Sequence, residues 1–271
     1  MTAPILFSVF LWWLSTGLIF CAGARGRPTM RWSMALVTLA AIAAVYGLYA
    51  TRGDTSVTGA YIAFSCALVI WGWHEMTFLF GYITGPSQAA CPPGVTGWRR
   101  FAAATAVLIH HELAIAWTVV AMIWLLGDGA NQLGLLTLLL LWGMRISAKM
   151  NLFLGVSNFS DEFLPERLRY LSSYFAKRRM NALLPLSVLV GSGLAFWLLR
   201  EATLPGATPF EVASFALLGT MAALATLEHL FLVLPVPDAA LWRWLVRPNA
   251  KRPDGPVKLV APAPESPGGK P

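Results

Sequence analysis

The feature that most constrains this chain is a series of about seven apolar runs, each close to the length that crosses a lipid bilayer. The hydrocarbon core is about 30 Å thick, so a spanning helix takes about 20 largely apolar residues. The runs cover residues 4–23, 32–50, 59–84, 101–126, 131 to either 150 or 156, 182–199 and 210–234. Breakers separate them: Arg25-Gly26-Arg27-Pro28, Arg52-Gly53-Asp54, Gly85-Pro86, Gly127-Asp128-Gly129, and finally Pro235 and Pro237. Hydrocarbon leaves no backbone polar group unpaired, so only helices or a closed barrel can span it. The alternating segments of about ten residues that a barrel needs are absent. The expected fold is therefore all-α, a polytopic integral membrane bundle over residues 1–246. Only 12% of residues are charged, against about 25% in a soluble domain.

Three of these runs carry ionisable residues where a charge is costly, about 2.5–3.5 kcal/mol at the centre of a spanning helix. They are His74-Glu75, His110-His111-Glu112 and Glu228-His229, which together contain all four histidines of the chain. Arg145 and Lys149 lie in or beside a fourth run. Such residues face a protein interior or a wet cavity, and they are the candidate functional residues.

Charge placement gives an orientation. Every Lys and Arg except Arg52 and Arg200 lies in or beside the connections after the first, third and fifth runs, or in the C-terminal tail. The positive-inside rule then puts the N-terminus in the periplasm and the C-terminus in the cytoplasm of a bacterial inner membrane. Trp32, Trp98, Trp242 and Trp244 fall at run ends, as an aromatic belt would. The net charge of +7 follows from this topology and implies no nucleic-acid partner. The first run has no charged residue before it and no evident cleavage site, so it does not read as a signal peptide. Cys21, Cys66 and Cys91 are scattered, without disulfide or zinc spacing.

In the longest connection, about residues 157–181, Leu164, Leu168, Leu171 and Phe175 recur on one helical face. An amphipathic cytoplasmic helix is expected there, its apolar face laid on lipid or on the protein's own helices. The basic, Pro- and Gly-rich tail, residues 247–271, is expected to be disordered.

At about 1.5 Å per residue, His74 lies about 16 Å, His110 about 14 Å and His229 about 9 Å from the cytoplasmic end of its run. Arg145 joins the same slab, about 16 Å deep, if the fifth run continues to residue 156. Three uses of such a layer compete. Neutral His74, His110, His111 or His229 could be the axial ligand of haem iron, or of chlorophyll magnesium by the same lone-pair logic. Glu75, Glu112 and Glu228 could join the histidines around iron or another divalent ion, as ligands or behind them. The adjacent pairs depart from the Glu-x-x-His pattern of di-iron bundles. Or the carboxylates pair with the histidines and Arg145 simply to fix helix packing, at around 0.6 kcal/mol per interaction. A proton or small-solute path is a variant of the last. No nucleophile–base triad, phosphate-binding glycine loop or HExxH motif stands out.

Several segments resemble a known family. They are Trp71-Gly72-Trp73-His74-Glu75-Met76, Gly85-Pro86, His111-Glu112-Leu113 and the long run from Ser147 to Asn158. Glu162-Phe163-Leu164-Pro165, Tyr170-Leu171-Ser172-Ser173-Tyr174-Phe175 and Asn181 continue it, with Glu228-His229 as a separate match. The family is photosynthetic complex assembly protein 2, PuhE-like, of phototrophic bacteria. The resemblance implies a role in assembling reaction-centre and light-harvesting complexes, with effects on bacteriochlorophyll levels and those subunits as partners. It carries over no catalytic residue. The alternative activity is a metal-dependent membrane oxidoreductase acting on a pigment or lipid-like substrate.

Overall fold

A computed structural model describes residues 1–23, 27–158 and 166–234. The expected tail, Trp242, Trp244 and the Glu162–Pro165 stretch lie outside the described residues. Seven helices are long and apolar enough to cross a membrane, and no strand occurs among the described residues. They are α1 (Thr2–Gly23), α2 (Arg27–Thr51), α3 (Val57–Leu79), α5 (Ile109–Leu126), α6 (Leu133–Leu154), α7 (Leu183–Glu201) and α8 (Pro209–Phe231), with a short α4 (Gly97–Ala106) before α5.

Local chemistry sets the helix starts. Ser56 accepts from the Gly59 amide at 3.0 Å to open α3, and Thr208 and Glu211 form a capping box at α8 with Pro209 in its first turn. Asn131 bridges two elements: its Nδ2 donates to the Asp54 and Gly59 carbonyls, and its Oδ1 accepts from the Leu133 amide. Asn181 does the same at the other end, donating to the Asn151 and Gly155 carbonyls and accepting from Leu183 and Leu184 at the start of α7.

The centre of the bundle is α3 and α8, each with 12 of its 23 residues buried, against 4 of 22 for α1. Phe64, Leu217, Met221 and Ala222 on these two helices pack with Leu48, Leu126 and Leu138 into the main core. α6 packs against both α3 and α8, whereas α5 packs against α2, α3 and α6.

Two expectations about continuity change. The fourth run is two helices, broken at Val107 and Leu108. The third run stops as a helix at Leu79, and the chain beyond it turns into that break. The amide of His111 donates to the Thr84 carbonyl at 3.0 Å, and that of Ser87 to the Ala106 carbonyl at 3.3 Å. Gly85 makes this approach possible, since a Cβ there would sit 2.2 Å from the Ala106 carbonyl oxygen.

The long connection also differs. Within it lies a 3₁₀ helix, Glu166–Tyr174, whose buried face is Leu168, Leu171 and Tyr174, packed on Phe78 and Val107. That three-residue repeat fits a 3₁₀ helix rather than an α-helix, so Tyr174 takes the buried place expected for Phe175. The apolar face covers the protein's own helices. Arg167 donates to the Phe80 carbonyl and Arg100 to the Phe153 and Tyr174 carbonyls. Burial pushes the Tyr174 hydroxyl above its ordinary range, and that hydroxyl donates to the Ala89 carbonyl at 3.1 Å.

Candidate functional site

Each His-Glu pair straddles a helix, because adjacent residues point about 100° apart. On α3, His74 faces α5 and Glu75 faces α6. His74 Nε2 lies 2.9 Å from Thr118 Oγ1, and Glu75 accepts from Arg145 at 2.6 Å. On α5, the fully buried His111 faces α3, with ring centroids 4.7 Å from Phe78 and 6.4 Å from His74. Glu112 faces α6, accepting from Lys149 at 2.5 Å and from Trp142 Nε1 at 2.8 Å. Arg145 and Lys149 are one turn apart on α6, so a single helix face answers two carboxylates. His110 lies on the outer surface of the bundle.

On α8, His229 is buried and Glu228 lies at the surface, accepting from Trp12 Nε1 of α1 at 2.7 Å. Both nitrogens of His229 are engaged: Nδ1 lies 2.8 Å from the Ala225 carbonyl and Nε2 lies 3.0 Å from Ser147 Oγ. Ser147 reaches Ser187 of α7 at 2.9 Å, and Ser187 donates to the Leu183 carbonyl at 3.0 Å.

The structure thus brings His74, Glu75, His111 and Glu112 together with Arg145 and Lys149. Glu228 and His229 lie on the α8 side of α6. His110 stands apart.

The two sides differ in satisfaction. The hydroxyl of Thr118 donates to the Ala114 carbonyl at 3.0 Å, so His74 Nε2 must carry the hydrogen between the two. His74 Nδ1 is then a bare lone pair, and it has no partner among the described residues. Both ring nitrogens of His111, Glu75 Oε1 and Arg145 Nε are likewise buried and unpartnered among the described residues. A buried polar group left unmade costs about 1–3 kcal/mol, so several in one place need a physical reason. Among the described residues, no three His, Cys, Asp or Glu side chains converge to hold a metal ion.

Sequence reasoning did not find Thr118, Ser147, Ser187, Trp12 or Trp142. Thr118 lies two turns after His111 on the same helix face, and that spacing was a readable signal. The serines and tryptophans carried none.

The fold and this layer define a seven-span helical membrane protein with ionised side chains paired inside the bundle. A family model described as a protein of unknown function, DUF3623, matches residues 1–253. A protein of Rhodobacter capsulatus described as "Uncharacterized 30.4 kDa protein in puhA 5'region" is 37% identical over 246 residues, covering 89% of this chain and 89% of that protein. The chain belongs to the DUF3623 family. No solved structure matches it.

Proposed function

We propose that this protein is an inner-membrane assembly factor for photosynthetic reaction-centre and light-harvesting complexes, with its N-terminus periplasmic and its C-terminus cytoplasmic. The observation that carries this reading is the 37% identical relative described by its place in the puhA 5' region of a phototroph. The resemblance to the photosynthetic complex assembly protein 2 family points the same way. Partners would then be subunits of those complexes.

We further propose that it handles bacteriochlorophyll or another tetrapyrrole, haem included, at an intramembrane histidine. The donor chemistry fits, since a tetrapyrrole metal takes one neutral imidazole nitrogen. His110 would hold it from the outer surface of α5, beside the exposed Leu113 and Trp117. The bound group would supply the colour and the redox or photochemistry. The chain's own residues would orient it and keep water away. A second reading, a metal-dependent oxidoreductase using iron, is favoured by the unpartnered His74 Nδ1, Glu75 Oε1 and His111 nitrogens. It needs those groups to move together.

Inactivating the gene in its phototrophic host tests the assembly role. Membranes should lose reaction-centre and antenna absorbance relative to total protein, and unchanged spectra would sink the role. The protein purified in mild detergent tests the pigment. A Soret or near-infrared band that disappears in His110→Ala supports it, iron without pigment moves the assignment to the second reading, and a colourless, metal-free protein rejects both.

A further inference from the structure

The seam between α2 and α3 is packed on one side and open on the other. On the α1 side, Met30, Met76 and Phe80 close into a small core with Ala22. On another face of α2, Arg31, Ala35, Thr38 and Leu39 follow one another at helical spacing. They line a groove of about 570 Å³ whose floor is Trp73 and Thr77 of α3. Small-molecule sites occupy about 300–1,000 Å³. A second hollow of about 540 Å³, lined by Pro28, Trp32 and the same Arg31 and Ala35, adjoins it, so Arg31 stands between the two. The far end of α2 is closed differently. There Leu48 joins the main core, and the Arg52 carbonyl accepts from the Asn131 amide at 2.8 Å. The opening belongs to the first half of the helix.

The chemistry of the groove divides along its length. The polar side chains of the floor satisfy their own needs. Trp73 Nε1 donates to Thr38 Oγ1 at 3.0 Å, and Thr77 Oγ1 donates to the His74 carbonyl at 2.8 Å. What they leave to an occupant is apolar surface. The mouth is cationic. Arg31 is exposed there, and Arg167 of the 3₁₀ helix reaches the same end of α2, within 3.0 Å of Met30 Sδ. Neither guanidinium has a carboxylate partner among the described residues. The mouth also lies at headgroup level. Trp32 and Tyr82 flank it, 78% and 58% exposed, as aromatic side chains are at a membrane–water interface. The Tyr82 amide, donating to the Thr77 carbonyl at 2.8 Å, turns the chain back to hold that ring in place.

We propose that the α2–α3 groove is a binding site for one anionic phospholipid, its phosphate on Arg31 with Arg167 behind, and an acyl chain laid along Ala35, Thr38 and Leu39 over Trp73. Charge complementarity selects the head, because a guanidinium pairs with phosphate oxygens through charge-assisted hydrogen bonds. The membrane supplies the ligand at the depth where the groove opens, and an apolar channel below the cation suits a chain rather than a free phosphate ion. The inference needs the chain to span a bilayer and depends on neither the assembly role nor the pigment.

Native mass spectrometry of the full chain, released from nanodiscs of phosphatidylcholine with phosphatidylglycerol as the minority lipid, tests it. The expected spectrum shows one phosphatidylglycerol retained per chain in preference to phosphatidylcholine. Arg31→Gln should lower that retention about fivefold, which corresponds to the attraction of one arginine near an anionic surface, and Arg31→Lys should keep most of it. Ala35→Phe fills the groove from an exposed position and should expel the lipid while leaving Arg31 in place. Arg200→Gln, at the opposite end of the bundle, should change nothing. Equal retention of phosphatidylcholine overturns the proposal, as does retention that survives both Arg31→Gln and Ala35→Phe. A loss in Arg169→Gln or Arg179→Gln as large as that in Arg31→Gln also overturns it, because the lipid would then be following general surface charge.

Discussion

The two sides of the polar layer use the same residue types in opposite ways. On the α3–α5 side, His74 makes one hydrogen bond through its ring and His111 makes none among the described residues. On the α6–α8 side, both nitrogens of His229 are bonded, and its serine partner continues to a third helix. All three rings are buried. Burial alone therefore does not say what an intramembrane histidine is for. A ring whose nitrogens are all bonded fixes helices to one another, and a ring with open nitrogens can still take a ligand or a proton carrier.

The largest expected effect strikes the residue between the two sides. Arg145→Met strips the cation from Glu75, whose side chain is 8% exposed. Breaking a buried pair costs 3–5 kcal/mol, and the half-exposed Arg145 side chain places this one at the low end, about 3 kcal/mol. Unfolding in a graded denaturing-detergent series would show it. A change under about 1 kcal/mol would mean that water already screens the pair.

Overpacking separates the sides next. A Cβ at Gly191 of α7 would meet Thr226 Oγ1 at 2.4 Å, so Gly191→Ala should cost about 1–3 kcal/mol and disturb the His229 junction. Gly85→Ala meets backbone at the α4–α5 break instead, and should disturb His111. Histidine NMR signals would show which ring moves in each variant, and movement of the wrong ring would break the division into sides.

The direct contrast is His229→Phe against His111→Phe. The first removes two hydrogen bonds and leaves Ser147 with Ser187 as its hydroxyl's partner, for about 1–3 kcal/mol. The second removes no hydrogen bond made among the described residues and should leave stability within about 1 kcal/mol, or raise it. Equal losses in the two would mean that the open nitrogens of His111 are satisfied in the membrane.

The smallest effect is a control at the opposite end of the bundle. The Ser56 amide, 2.8 Å from Asp54, holds that carboxyl below its ordinary 3.8. A depressed carboxyl adds stability above its unfolded pKa and loses it as pH falls through the lower folded value. Asp54→Asn should therefore flatten only the acid limb below about pH 4, leaving both histidine groups unchanged.

Much of this was legible in residues. Seven spans follow from run length and from the breakers at Gly85-Pro86 and Gly127-Asp128-Gly129, because hydrocarbon thickness and backbone satisfaction permit little else. The site was legible as a depth: the sequence puts His74, His110 and His111, and His229 in one slab, but it cannot say which neighbours meet them. The break before Ile109 was invisible, because it is made by the Thr84 carbonyl and the bare Cα of Gly85 arriving from another segment. The 3₁₀ helix was misread in register, because Tyr174 is held by Ala89 and Arg100, far away in sequence.

By itself the sequence determined that the chain spans a membrane and that its carboxylates need compensating partners there, since a lone charge inside a bilayer is costly. Only the tertiary structure decided that Arg145 and Lys149 answer Glu75 and Glu112, that Ser147 completes His229 and that His111 is left open among the described residues. Hydrogen bonds are made across distances near 3 Å, and which side chains come that close is set by how whole helices pack.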